Sequence, residues 1–233
     1  MAVELQSTQE EDDTRIFLHL IDSDKRCALQ GEGRAIIKTP DTDVVVLAIH
    51  FFPQLSSIKE VWIETGNPTK TLDRRRYLPI HDMCKSIGSI LCRILPATCA
   101  LTGCDSISSF HGIGKRSVLK NVSTDDGKDH EDLAVLGCNS LEESIQAARK
   151  LVIDLYSSGK KTKKKKQRPE NLNIMRVEMA KGNISVAKLP PSEASFYNHV
   201  KRAAWQTRVW MTSGKAEADV GSCIGQGWQW END

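Results

Sequence analysis

The chain has 233 residues, 39% of them hydrophobic and 27% charged, enough apolar side chain to bury a sizeable core and too much for disorder over most of its length. Basic and acidic residues nearly balance, 32 against 30, so the net charge of +2 excludes neither kind of partner. Their distribution is uneven: residues 1–140 carry 16 Lys/Arg and 20 Asp/Glu, and residues 141–233 carry 16 and 10. That asymmetry allows metal-binding carboxylates in front and polyanion contact behind.

Seven cysteines (Cys27, Cys84, Cys92, Cys99, Cys104, Cys138, Cys223) form no CxxC pair, and their number is odd. They read as reduced intracellular thiols, because neither a disulfide framework nor a tetrahedral zinc set has its spacing. The longest apolar stretch, 44–52, contains His50 and is too short to cross a bilayer. No apolar leader opens the chain, which predicts a nuclear or otherwise cytoplasmic protein that makes no use of a membrane.

In chain order, Thr8 and Glu11 have capping-box spacing ahead of Ile16, Phe17, Leu20 and Ile21, which predicts a helix starting near residue 9. Residues 35–38 read as a buried strand ended by Pro40. Residues 44–49 are apolar throughout and fit a strand or a helix equally. Two short strands follow at 61–63 and 76–78 around the turn cluster Gly66-Asn67-Pro68. Helical intervals mark 81–95 and 141–156, the latter with Ser140 and Glu143 as a capping box. Alternating strand and helix signals predict an α/β layer with a largely parallel sheet. Residues 160–168 (KKTKKKKQR) read as a basic linker, and 192–211 as a helix ahead of a Gly/Trp tail.

Asp41 and Asp43 follow the 35–38 strand, at the end of a sheet where α/β folds place ligands. Glu10, Glu11, Asp12 and Asp13 sit where a helix dipole tolerates negative charge. Carboxylates held together repel, so a hard cation such as Mg²⁺ is one solution, and a set of solvated caps and turns is the other. Downstream, Gly112-Ile113-Gly114-Lys115-Arg116 opens a helix with backbone N–H groups unobstructed and a cation next to them. This suits a phosphate, although a Gly-x-Gly turn is more often only a turn. His19 and His50 lie on apolar stretches and read as satisfied core histidines; His81, His111, His130 and His199 have no partner at metal spacing. No Ser or Cys can be paired with a base. The lysine run, with Lys160, Lys161, Lys163 and Lys164, fits a solvated linker, a nuclear-import signal or a nucleic-acid contact. Trp205 and Trp210 read as helix packing, with Lys201, Arg202 and Arg208 leaving base stacking open.

Gly103-Cys104-Asp105, seven residues ahead of the Gly-x-Gly-Lys-Arg segment, resembles the signature of PIN-like nucleases of the flap-endonuclease, or xeroderma pigmentosum group G-like, type. Thr39-Pro40-Asp41-Thr42-Asp43 looks like that family's strand-end Asp-x-Asp pair, and Glu11-Asp12-Asp13 like its helix Glu-x-Glu/Asp pair. The closer similarity is to PIN-like proteins of transposable elements in animal genomes. It extends over 10–15, 40–47, 100–105, 199–202 and 227–230, nearly the whole chain. The resemblance implies Mg²⁺ (or Mn²⁺) held by Glu11, Asp13, Asp41, Asp43 and Asp105 as catalytic metal ligands. It also implies Gly112, Gly114, Lys115 and Arg116 as the grip on branched or duplex DNA.

The family carries a first strand and two further carboxylates upstream of the Glu-x-Glu helix, and this chain begins almost at that helix. Cys99 stands where the close relatives show His. The resemblance therefore predicts a fragment with impaired phosphodiester hydrolysis, or a DNA-binding module or mobile-element relic that does not cut. The expected architecture is an incomplete PIN-like parallel sheet flanked by helices over 1–100, then a helix-hairpin-helix region over 101–158. A basic linker at 159–170 and a mostly helical extension over 171–233 complete it.

Overall fold

A computed structural model gives the structure of residues 5–9, 11–29, 31–66, 73–138, 140–157, 169–182, 184–217 and 220–230. These form two units: Met1–Pro96 with Val209–Val220, and Ala97–Arg208 with Gly221–Asp233.

In the first unit, helix α1 (Asp12–Cys27) buries Phe17, Leu18 and Leu20 along one stripe. Strand β1 (Gly33–Lys38) leads into helix α2 (Thr42–Phe51), and strand β2 (Ile58–Thr65) follows. β1 and β2 are parallel, and a parallel pair needs a crossover between its strands. That requirement, together with the Asp41 side chain accepting the Asp43 N–H at 2.7 Å, settles residues 44–49 as helix. Strand β3 (Arg76–Pro79) lies antiparallel to β2, so the sheet, ordered β1-β2-β3, is mixed. The expectation of a parallel sheet is corrected here. Ten residues separate Thr65 from Arg76, fewer than a crossover needs, and so short a connection returns a strand alongside its predecessor only in the opposite direction. The architecture is otherwise the α/β arrangement of a small sheet with helices.

Asp24, near the end of α1, accepts hydrogen bonds from the backbone N–H groups of Ser56, Ser57 and Ile58, at 2.9, 2.8 and 2.7 Å, and from the Ser56 hydroxyl. The end of α1 is thereby fixed at the start of β2. A Cβ on Gly33, at the start of β1, would meet Cys27 Sγ, so the same end of α1 also lies at the start of β1. α1 therefore runs back along the sheet, and its first turn is directed toward the end where β1 finishes and α2 begins. Phe17 stacks on Phe51 at 5.1 Å between ring centroids and closes the α1–α2 contact.

Helix α3 (Ile80–Thr102) is broken at Gly88, whose φ of 83° and ψ of 167° belong to a region open only to glycine. Gly88→Ala meets no atom within 4 Å, so its cost is backbone strain alone, about 1–3 kcal/mol, read as a lower urea midpoint. Pro96 lacks the N–H that would bond the Cys92 carbonyl four residues earlier, and the buried His50 ring takes that carbonyl instead, Nδ1 to O at 3.3 Å. His50 is thus the satisfied core histidine its sequence position implied, while His19 is exposed. By length and composition α3 could cross a membrane, yet 61% of its apolar window is buried within the protein.

In the second unit, helix α4 (Lys115–Val122) is followed by a 3-10 segment (Thr124–Gly137) and helix α5 (Leu141–Ser157). Helix α6 (Leu172–Ala180), within the extension expected to be mostly helical, is opened by Asn171 accepting the Ile174 N–H. Helix α7 (Glu193–Met211) matches the expected 192–211 helix. Glu193 accepts from Arg149 Nη2 at 2.9 Å and from the Leu172 N–H at 2.7 Å, tying the starts of α6 and α7 to α5. Trp210 is buried, and Trp205 meets Trp228 edge-on at 5.5 Å, so both pack within the protein as expected. No disulfide joins the cysteines, and Cys84, Cys92 and Cys99 are buried.

Candidate nucleic-acid interface

α3 ends in a Gly103 with φ of 122°, and the chain then reverses twice. Cys104 and Ile107 exchange both backbone hydrogen bonds at 3.1 Å, which places Asp105 at the exposed tip of a two-residue turn. The Ser106 hydroxyl, beside it, reaches Gln206 Oε1 at 2.7 Å. The second reversal is the turn Phe110-His111-Gly112-Ile113, closed by the Ile113 N–H on the Phe110 carbonyl at 3.1 Å. Its third residue needs positive φ, and Gly112 supplies +76°. Between Thr102 and Lys115 the described backbone is turn and loop, so within the expected helix-hairpin-helix region the Gly-x-Gly segment joins a loop to a helix. The local reason is Gly103 at positive φ, which ends α3 and starts the tight turn instead.

Gly114 is the N-cap of α4, in extended conformation and with no side chain to accept from the first turn. Its φ of −86° suits any residue, and a Cβ there would meet nothing within 4 Å. Local structure therefore does not require glycine at 114. What glycine provides there is unobstructed access to the first-turn N–H groups of α4, where the helix dipole favours an anion. Lys115 and Arg116 are exposed in the first turn, and Lys120, in the last turn, is exposed as well. An open cleft of about 450 Å³ beside it is lined by Gly112, Ile113, Ser117, Lys120, Asn121 and Thr124. Behind the cleft, His130 is buried with Nε2 3.2 Å from Asn121 Oδ1 and 3.6 Å from Asp154, and burial holds its pKa below the ordinary value.

The predicted metal ligands divide between the units. Glu11 is the N-cap of α1, with Asp13 in its first turn; its side chain accepts no capping hydrogen bond, and the Thr8–Glu11 capping box does not form because the helix starts three residues later than that box requires. Asp41 is the N-cap of α2, with Asp43 in its first turn. These four share the end of the sheet toward which both helices open. Asp105 belongs to the second unit. Among the described residues, no three His, Cys, Asp or Glu side chains are grouped as a metal-ion site. Asp41 Oδ1 is turned onto the Asp43 N–H as a helix cap. Lys160, Lys161, Lys163 and Lys164 lie outside the described residues.

No protein-family model, curated protein or solved structure matches the chain.

Proposed function

We propose that the chain is a nuclease-like protein that holds duplex or branched nucleic acid by its phosphate backbone and hydrolyses it poorly or not at all. The observation that supports this reading is the start of α4: a helix terminus left bare by Gly114, positioned by the Gly112 turn and flanked by Lys115 and Arg116, with Lys120 further along the cleft beside it. Backbone N–H groups and cations recognise phosphate without reading bases, so the binding is indifferent to sequence. The residues 160–168 would add charge to the same electrostatic contact.

Mg²⁺-dependent phosphodiester hydrolysis is the second reading. It is favoured by the opening of α1 and α2, with Glu11, Asp13, Asp41 and Asp43, toward one end of the sheet.

A labelled flap substrate titrated with the chain tests both. Salt-dependent binding with a Kd of roughly 10⁻⁴ to 10⁻⁶ M is expected. Gly114→Val leaves the melting temperature unchanged and weakens that binding several-fold by covering the α4 terminus. Lys115→Ala with Arg116→Ala reduces the salt slope by about 2, one unit for each cation withdrawn from the phosphates. Unchanged affinity in both variants rejects the interface. Cutting in Mg²⁺ or Mn²⁺ that disappears in Asp41→Ala/Asp43→Ala replaces the first reading by the second.

A further inference from the structure

β1 is an edge strand: among the described residues only β2 pairs with it. The Thr39 N–H bonds the Glu64 carbonyl of β2 at 3.0 Å. Backbone direction alternates along a strand, so the peptide groups of residues 35 and 37 also face β2, and the N–H and C=O groups of Arg34, Ile36 and Lys38 face the open edge. The side chains of these same three residues share one sheet face and are all exposed, Ile36 by 59%. Parallel strands are usually covered on both faces, so an open edge and an open face meeting at one parallel strand call for an occupant.

The charges say which. Along this face β1 reads cation, apolar, cation. β2 answers it in register with Glu60, Trp62 and Glu64: Arg34 pairs with Glu60 at 2.7 Å, Ile36 lies beside Trp62, and Lys38 pairs with Glu64 at 3.7 Å. Both cations keep most of their surface in solvent, 64% for Arg34 and 66% for Lys38. A strand added on the other side of β1 meets the same pattern. A second copy of β1 laid antiparallel about Ile36 would set Arg34 against Lys38 and Lys38 against Arg34, and like charges directly opposite destabilise a pair.

We propose that the free edge of β1 is a docking site for an extended acidic segment of a partner protein, one with carboxylates two residues before and after an apolar side chain. The segment adds as a fourth strand. Its backbone bonds the open peptide groups of Arg34, Ile36 and Lys38, and its side chains repeat the part that β2 plays on the inner side.

The sequence of β2 itself supplies the probe. A fluorescein-labelled peptide of Ile58–Thr65 (IKEVWIET) titrated with the full chain is expected to give saturable anisotropy with a Kd in the micromolar range. The same peptide with both glutamates changed to lysine is expected to bind about tenfold more weakly, the difference between two attractive and two repulsive cross-strand pairs. Ile36→Pro removes an N–H from the open edge while leaving the β2 ladder intact, and abolishes binding at unchanged melting temperature. Arg34→Glu/Lys38→Glu, confined to exposed side chains, inverts the preference between the two peptides even if Ile36→Pro unfolds. Equal binding of both peptides overturns the proposal, as does a preference that Arg34→Glu/Lys38→Glu leaves unchanged. So does a sedimentation profile showing the free chain as a dimer that Ile36→Pro dissociates.

Discussion

Asp24→Ala is expected to lower the unfolding free energy by about 3 kcal/mol in urea titration at neutral pH. The carboxylate is buried and accepts four hydrogen bonds, three of them from consecutive backbone N–H groups at the entry to β2. Water can replace the carboxylate at exposed Ser56, but the Ile58 N–H is buried and stays without an acceptor. Burial pushes the Asp24 pKa up, and the bonds from Ser56, Ile58 and Ser57 outweigh it, so the folded value lies below the ordinary one. A carboxyl group with a depressed folded pKa contributes stability that is present above its unfolded value, about 3.9, and is lost as pH falls through the folded value. The gap between parent and Asp24→Ala is therefore expected to narrow below about pH 4. Asp24→Asn keeps an acceptor but turns an NH₂ toward at least one donor, and is expected to cost less than alanine. An alanine variant with an unchanged urea midpoint would show that α1 is held to the sheet by Phe17 and Leu20 alone.

The sheet and its helices were legible wherever local pattern and tertiary need agree. Residues 35–38, 61–63 and 76–78 all became strands, the helices at 141–156 and 192–211 formed with nearly their expected limits, and the helix expected over 81–95 runs on to Thr102. The direction of β3 was missed, because it depends on the length of the connection between two short strands and not on the pattern of either. Helix α6 did carry a signal, an Asn171 cap followed by Leu172, Met175 and Met179 at helical spacing, hidden by the nearby lysine run. The long 3-10 segment had none: Asp125, Asp126 and Gly127 all take positive φ, a conformation that an Asp-Asp-Gly string permits without announcing.

At the site, the sequence identified the start of α4 correctly and misjudged what precedes it. Gly112 was expected in a hairpin between two short helices, yet it turns a loop into α4, while Gly103 ends α3. The carboxylates show the limit of spacing arguments. Asp41 and Asp43 occupy the sheet end that the alternation of strand and helix predicted, and Asp41 is at the same time the helix cap that the alternative reading of these carboxylates named.

His199→Ala is expected to cost about 3 kcal/mol and to loosen the Gly112 turn of the proposed nucleic-acid interface from behind. The ring is buried in α7, and its Nε2–H donates to the Leu101 carbonyl at 2.7 Å, one of the last-turn carbonyls of α3 that no helical N–H can reach. Its face meets Phe110 at 4.9 Å, the residue whose carbonyl closes the Gly112 turn. Removing the imidazole opens a cavity against Phe110 and leaves the Leu101 carbonyl without its donor, so amide exchange at Ile113 is expected to speed up before global unfolding does. Acid should act in the same direction as the mutation. Burial lowers the His199 pKa, the Leu101 bond opposes that shift only in part, and burial lowers His50 and His130 likewise. A histidine with a depressed folded pKa contributes stability that is complete above its unfolded value, about 6.5, and is lost as pH falls through it. Urea midpoints measured at pH 7.5 and 5.5 should therefore drop less in His199→Gln, which can still donate to Leu101 but cannot titrate, than in the parent chain. An equal drop in both would place the acid sensitivity at His50 and His130 and remove His199 from the account.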